Sequence, residues 1–248
     1  MDELEHIQHK VSLSCRILAM TGLVKETTGH VSARIPGTND MFIRGRGDEE
    51  TGLLFTAPGE IVRAGFDGKG SFEGLRVGLP QEWPIHGEIF KARPEVNCVV
   101  HAHPRACLLC GLAAIELRPI FGAYDPSAMK IGQQGVPVYP RAITINRPDL
   151  SRPMIEMMGQ KNLLLMRGHG ITVTGGTVEE ATIRAIKLET LAGITWELSQ
   201  RGPLTEISQE DLDHFSAPTN QTGRKSTEPV WEYYVELLDY QNPMLNHG

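Results

Sequence analysis

The chain has 248 residues, 40% of them hydrophobic and 22% charged, with a formal net charge of −6, and is long enough to bury a sizeable core as one large domain. The acidic balance and the lack of any basic block exclude nucleic acid as the main partner, and no run approaches the roughly 18 apolar residues that a membrane helix needs. The start "MDELEHIQHK" is charged from its second residue, unlike a secretory signal, so a cytoplasmic protein acting on a small molecule is expected.

In chain order, residues 2–21 place Leu4, Ile7, Val11, Ile17 and Leu18 at near-helical spacing, and Gly22 suits the stop. "GHVSARIP", "DMFIRGRG", "GLLFTAPG" and "EIVRAG" read as short strands of a meander, divided by Gly and Pro. "PQEWPIHGEIFKARP" predicts a helix with Glu82 in its first turn, closing before Pro94. "NCVVHAH" is a buried strand, and Pro104 is placed to start the helix "PRACLLCGLA". "NRPDLSRPMIEMMG" is helical, and "KNLLLMRGHGITVTGG" is a pair of strands broken at Gly168 and Gly170. "TVEEATIRAIKLETLAGITWELSQ" is a long helix that Thr177 and Glu180 begin as a capping box.

Beyond Arg201 the chain turns polar, then gains the aromatic stretch "VWEYYVELLDY". The four cysteines, Cys15, Cys98, Cys107 and Cys110, form neither a disulfide framework nor a zinc knuckle and read as reduced core residues. Meandering strands with helices on both sides predict a three-layer α/β/α domain.

Period-two alternation along a strand points His101 and His103 of "NCVVHAHPRA" the same way, which is half of a metal site. His169, flanked by glycines at the end of another apolar run, offers a third imidazole, and Glu82 offers a carboxylate. Three neutral imidazoles and a carboxylate suit a divalent ion, Zn²⁺ or Mn²⁺ first among them, with a position left open for chemistry.

Those segments resemble the class II aldolase and adducin-like family. "GLVKETTGHVSAR" is similar to its glycine-rich G-N-V-S loop, "PQEWPIH" to its S-S-E-W-x-x-H segment, "VVHAHP" to its H-x-H, and "RGHGI" to its final H-G. The resemblance spans about residues 5–200. It implies a single α/β domain of the fuculose-phosphate aldolase type over 1–200, with a largely antiparallel central sheet and a divalent metal held by His101, His103, His169 and Glu82. It also implies a homotetramer with sites at subunit interfaces. Residues 201–248 are then an extension that packs on the domain or on a neighbouring subunit, and Tyr233 and Tyr234 can reach a neighbour's site.

The departures from the sugar-phosphate pattern bear on function. His30 stands where the family's loop has Asn, and Pro80 and Gln81 stand where it has two serines, so the phosphate cradle is expected to be lost. Arg44 and Arg46, two apart in "FIRGRG", share a face if the strand continues through them and match a carboxylate in two-pronged fashion.

The chain most resembles the branch that removes CO₂ from hydroxylated aromatic dicarboxylic acids such as 3,4-dihydroxyphthalate. On that reading Arg44, Arg46, Ser32 and Tyr124 contact substrate, Glu82 or His30 carries the proton to ring carbon, and His86, one turn after Glu82, orients it. Two rivals stand beside it: an aldolase or epimerase of a non-phosphorylated sugar or hydroxy acid, and an adducin-like binding module, in which the metal histidines would be absent.

Overall fold

The computed structural model describes residues 2–48, 50–217 and 227–241. Helix α1 (Glu3–Met20) opens on a capping box in which Asp2 and Glu5 satisfy one another's backbone N–H groups, and it stops at Thr21 before Gly22 turns the chain at φ 77°. Three short strands follow in a meander, β1 (His30–Arg34), β2 (Asp40–Arg44) and β3 (Ile61–Gly65). The segment "GLLFTAPG", expected as a strand, instead makes two 3₁₀ turns at Leu53–Phe55 and Pro58–Glu60. Gly52 at φ 87° and Pro58, which has no N–H, cannot continue a ladder, and buried Leu53 anchors the turn against the core instead.

Helix α2 (Trp83–Ala92) leads into β4 (Cys98–Ala102), and α3 (Arg105–Leu112) follows with Pro104 at its N-cap. The α3 amides of Ala106 and Cys107 donate to the Glu189 carboxylate, which answers both the orphan donors and the positive end of the helix. Helix α4 (Pro126–Gln134), capped by Asp125, and the two-residue strand β5 (Val138–Tyr139) were not legible as periodic patterns. Then come α5 (Pro148–Met158), β6 (Leu163–Met166), β7 (Gly170–Gly175) and the long α6 (Val178–Ser199). Thr177 caps α6 as expected, but Glu180 reaches back to the Gly176 N–H rather than to Thr177, so the box is only half formed.

The sheet order is β3-β2-β1-β4-β7-β6-β5, antiparallel throughout except for β5 on β6. Alternation sorts its side chains into two layers. Val31, Cys98, Val100, Ala102, Ile171 and Val173 face α1, α3, α4 and α6, whereas Met41, Ile43, Val99, Leu164 and Met166 face α2 and α5. The result is the expected three-layer α/β/α domain. All four cysteines are buried in the α1-side layer as free thiols.

Of the extension over 201–248, residues 218–226 and 242–248 lie outside the described residues; α7 (Gln209–Ser216) and α8 (Glu228–Gln241) belong to it. Trp231 and Leu238 of α8 are buried in the α1-side layer. Among the described residues no helix is long and apolar enough to cross a membrane.

Candidate metal centre

On the α2 side the middle of the sheet is polar where an apolar core would be the default. The register sets His30 opposite His101 and His101 opposite Thr172, so β1, β4 and β7 bring these side chains together on one face. His103 lies just past the end of β4, and His169 sits in the tight β6–β7 turn, which Gly168 makes possible at φ 68°. Glu82 is the N-cap of α2, yet its carboxylate makes no capping bond. It turns instead toward the histidines, accepting a hydrogen bond from the Ile145 N–H at Oε1 (2.8 Å).

The donor atoms of Glu82, His101, His103 and His169 lie within 4.8 Å of one another. Glu82 Oε2 is 3.4 Å from Nε2 of both His101 and His169, and the Nε2 atoms of His101 and His103 are 3.0 Å apart. Tetrahedral zinc with bonds of about 2.0–2.1 Å separates neighbouring ligand atoms by about 3.3–3.4 Å. Donor type, number and spacing therefore fit a divalent ion.

The electrostatics agree with that fit. Burial, then the nearby His101 and His169, pushes the His103 ring down to about 3, and burial likewise lowers His101, so both stay in the neutral form a metal requires. Burial works against the charge of Glu82, but hydrogen bonding to His101 and His169 prevails and holds its carboxyl far below the ordinary carboxylate range.

Behind the cluster, His86 of α2 occupies a place that spacing alone did not indicate. Its Nε2 is 2.6 Å from His30 Nδ1 and its Nδ1 is 2.6 Å from Ser32 Oγ. His86 thus supports His30 rather than Glu82, because an N-cap residue lies outside the helical geometry that makes i,i+4 neighbours. Ser32, expected to touch substrate, is fully buried under His86. Burial first, then His86 and His101, holds the His30 ring well below its usual pKa, and the ring is neutral.

The class II aldolase and adducin N-terminal domain model matches residues 9–196. The chain belongs to that family. The 3,4-dihydroxyphthalate decarboxylase of Arthrobacter keyseri is 37% identical over 232 residues, 92% of either chain. Its counterpart in Rhodococcus jostii is 35% identical over 240 residues, 94% of this chain and 96% of that one. The structure of L-fuculose 1-phosphate aldolase from Glaciozyma antarctica superposes with a TM-score of 0.78, covering 96% of this chain and 90% of that one at 18% identity, a likeness of fold.

In this class II aldolase fold the two arginines part company. Arg44 points with Phe42 into the α1-side layer, fully buried, where it meets Glu50 (2.8 Å), Glu60 (3.8 Å) and Thr56 (3.1 Å). It is an internal ion-pair residue and not a substrate contact. Arg46, beyond the end of β2, lines a cavity of about 380 Å³ together with His30, Pro80, Gln81, Glu82 and Thr144. Its Nε donates to Glu50 at 2.6 Å, so one carboxylate ties both guanidiniums. Tyr124 is 74% exposed and lines a separate cleft with Tyr233 and Tyr234. A larger cavity of about 840 Å³ lies between α1 and α8 and contains none of the four donors, whereas Glu82 lines the smaller one.

The glycine after His169 has a packing reason. A Cβ at Gly170 would lie 2.3 Å from the Ala102 carbonyl oxygen and 2.5 Å from Cδ2 of His103. Gly170→Ala is expected to shift His103 and weaken Zn²⁺ binding by about 10–100-fold, the usual cost of disturbing a ligand's support. Titration calorimetry with Zn²⁺ reads this directly, and wild-type affinity would remove Gly170 from the site's architecture.

Proposed function

We propose that the protein is a metal-dependent, non-oxidative decarboxylase of a hydroxylated aromatic dicarboxylate, 3,4-dihydroxyphthalate or a near analogue. The observation that carries the reading is the set of three imidazoles and one carboxylate at the edge of a cavity lined by Arg46, in a chain 35–37% identical to two 3,4-dihydroxyphthalate decarboxylases. The cavity's Pro80 and Gln81 supply no hydroxyls for a phosphate, which favours a carboxylate substrate.

Breaking the bond to CO₂ leaves its electron pair on the ring, and an oxygen ortho to that carbon must accommodate the charge. His101, His103, His169 and Glu82 would hold a divalent cation, Zn²⁺ or Mn²⁺, which would supply positive charge for that oxygen. Arg46 holds the retained carboxylate through a charge-assisted pair. Glu82 accepts the phenolic proton and returns it to the ring carbon as CO₂ departs, after which a solvent proton restores the phenol. The bond from Ile145 keeps the carboxylate within reach when its other oxygen turns to the substrate. His30 is the second candidate for the proton, and its neutral ring suits it better to hydrogen-bond the substrate oxygen. The protein works in the cytoplasm as a homotetramer, and the exposed Tyr124 and Tyr233 support an interface near their shared cleft.

The test is CO₂ release from ortho-hydroxylated aromatic dicarboxylates by metal-stripped protein, then by protein restored with Zn²⁺ or Mn²⁺. Release that depends on metal is expected, and Arg46→Met should raise KM by about 10–100-fold, the worth of a charged hydrogen bond. No gas from metal-loaded protein sinks the reading and turns to an aldolase or epimerase of a non-phosphorylated sugar or hydroxy acid.

A further inference from the structure

Three side chains form a line behind the cavity, in the order Ser32, His86, His30, joined by two contacts of 2.6 Å. Ser32 and His86 are 0% exposed and His30 3%, so all three are shut off from bulk solvent. Only His30 lines the cavity.

The line has a direction, which follows from its inner end. Among the described residues, the one hydrogen-bond partner of Ser32 Oγ is His86 Nδ1. Were Nδ1 to carry the proton and donate, the serine hydroxyl hydrogen would be buried with no acceptor, an arrangement that folded proteins avoid. The hydroxyl therefore donates to Nδ1, and a neutral His86 carries its hydrogen on Nε2. That hydrogen is given to His30 Nδ1, which must accept, and the remaining hydrogen of a neutral His30 sits on Nε2.

We infer that Ser32 and His86 are positioning residues that fix His30 as its Nε2–H tautomer, a hydrogen-bond donor for the substrate oxygen on which charge develops. This rests on the decarboxylase reading for the identity of that oxygen, while the tautomer itself does not. The arrangement also keeps His30 out of the metal's donor set. Its ring stacks on His101 with centroids 5.1 Å apart, but an N–H has no lone pair to offer a cation. A neutral imidazole donor polarises an oxyanion without having to be charged first.

The experiment is solid-state ¹⁵N spectroscopy of the zinc-loaded full chain labelled at histidine, with His30 and His86 assigned through His30→Gln and His86→Gln. The expected wild-type result is a protonated Nε2 and a bare Nδ1 on His30. In Ser32→Ala the bias is lost and both tautomers of His30 appear. With it, kcat falls about tenfold and KM moves less than about twofold, a misplaced donor being worth less than a deleted one.

A bare Nε2 on His30 in the wild type overturns the inference, as does a His30 spectrum unchanged by Ser32→Ala. Should Ser32→Ala not fold, the wild-type spectrum still decides. Absence of CO₂ release by the wild type would defeat the decarboxylase reading and leave the tautomer result standing.

Discussion

The zinc content of a His101→Ala variant is expected to fall to background, and CO₂ release to fall with it by at least about a thousandfold, since the cation's charge on the developing oxyanion is worth several kcal/mol. His101 is the hub of the centre. It sits on the middle strand with a neighbour on each side, its Nε2 faces both Glu82 and His103, and its Nδ1 faces Thr172 Oγ1 at 3.5 Å. Alanine there removes one of the four donor groups and opens a void between the others. Metal analysis of the folded variant is the measurement, and stoichiometric zinc would show that His101 is not a ligand.

Acid attacks the same groups with a predictable sign. His86 and His103 each titrate at about 3 in the folded chain, well below the 6.5 of an ordinary histidine, with burial as the leading cause. Below about pH 6.5 the unfolded chain therefore binds protons that the folded chain refuses. Their contribution to stability is fully present above that pH and is lost as pH falls toward 3. Urea melts of metal-free protein should show a midpoint that declines over this window, and a flat profile between pH 7 and 4 would contradict the burial argument.

Turnover by Glu82→Gln is expected to drop by about 10²–10⁴-fold, the range of a positioned proton carrier. Three imidazoles remain and the amide oxygen can still accept from the Ile145 N–H, so bound zinc should stay near one per chain at saturating metal. That split separates proton transfer from simple ligation. A variant that keeps full turnover removes Glu82 from the proton's path, and one that loses metal outright makes it an indispensable ligand instead.

Much of this architecture is readable from the letters, and the failures have physical causes. Helices α1 and α6 carry side-chain N-caps, and α2 and α5 carry a proline in the first turn, all local signals. The histidines of the cluster stand out because two glycines and a strand end frame them. Period two puts Arg44 and Arg46 on one side only if the strand runs through both, and β2 stops at Arg44; the side that Arg44 takes depends on Phe42 packing beneath α1, a contact distant in sequence. Ser32 lay beyond reach for the same reason, since its partner His86 is 54 residues away on another element. The segment "GLLFTAPG" turns where a strand is expected because short apolar runs between Gly and Pro fit turns as well as strands.

The two-sided sheet has a consequence for how such a protein can change. Along β1 and β4, His30, Ser32, Val99 and His101 alternate with Val31, Ala33, Cys98 and Val100, one series facing α2 and the other facing α1. Neighbouring codons thus answer to separate demands. Substitutions that retune what the cavity accepts can accumulate on one series while the other goes on holding the fold together, because the two series face opposite layers. A lineage can try new chemistry here without first rebuilding its foundation.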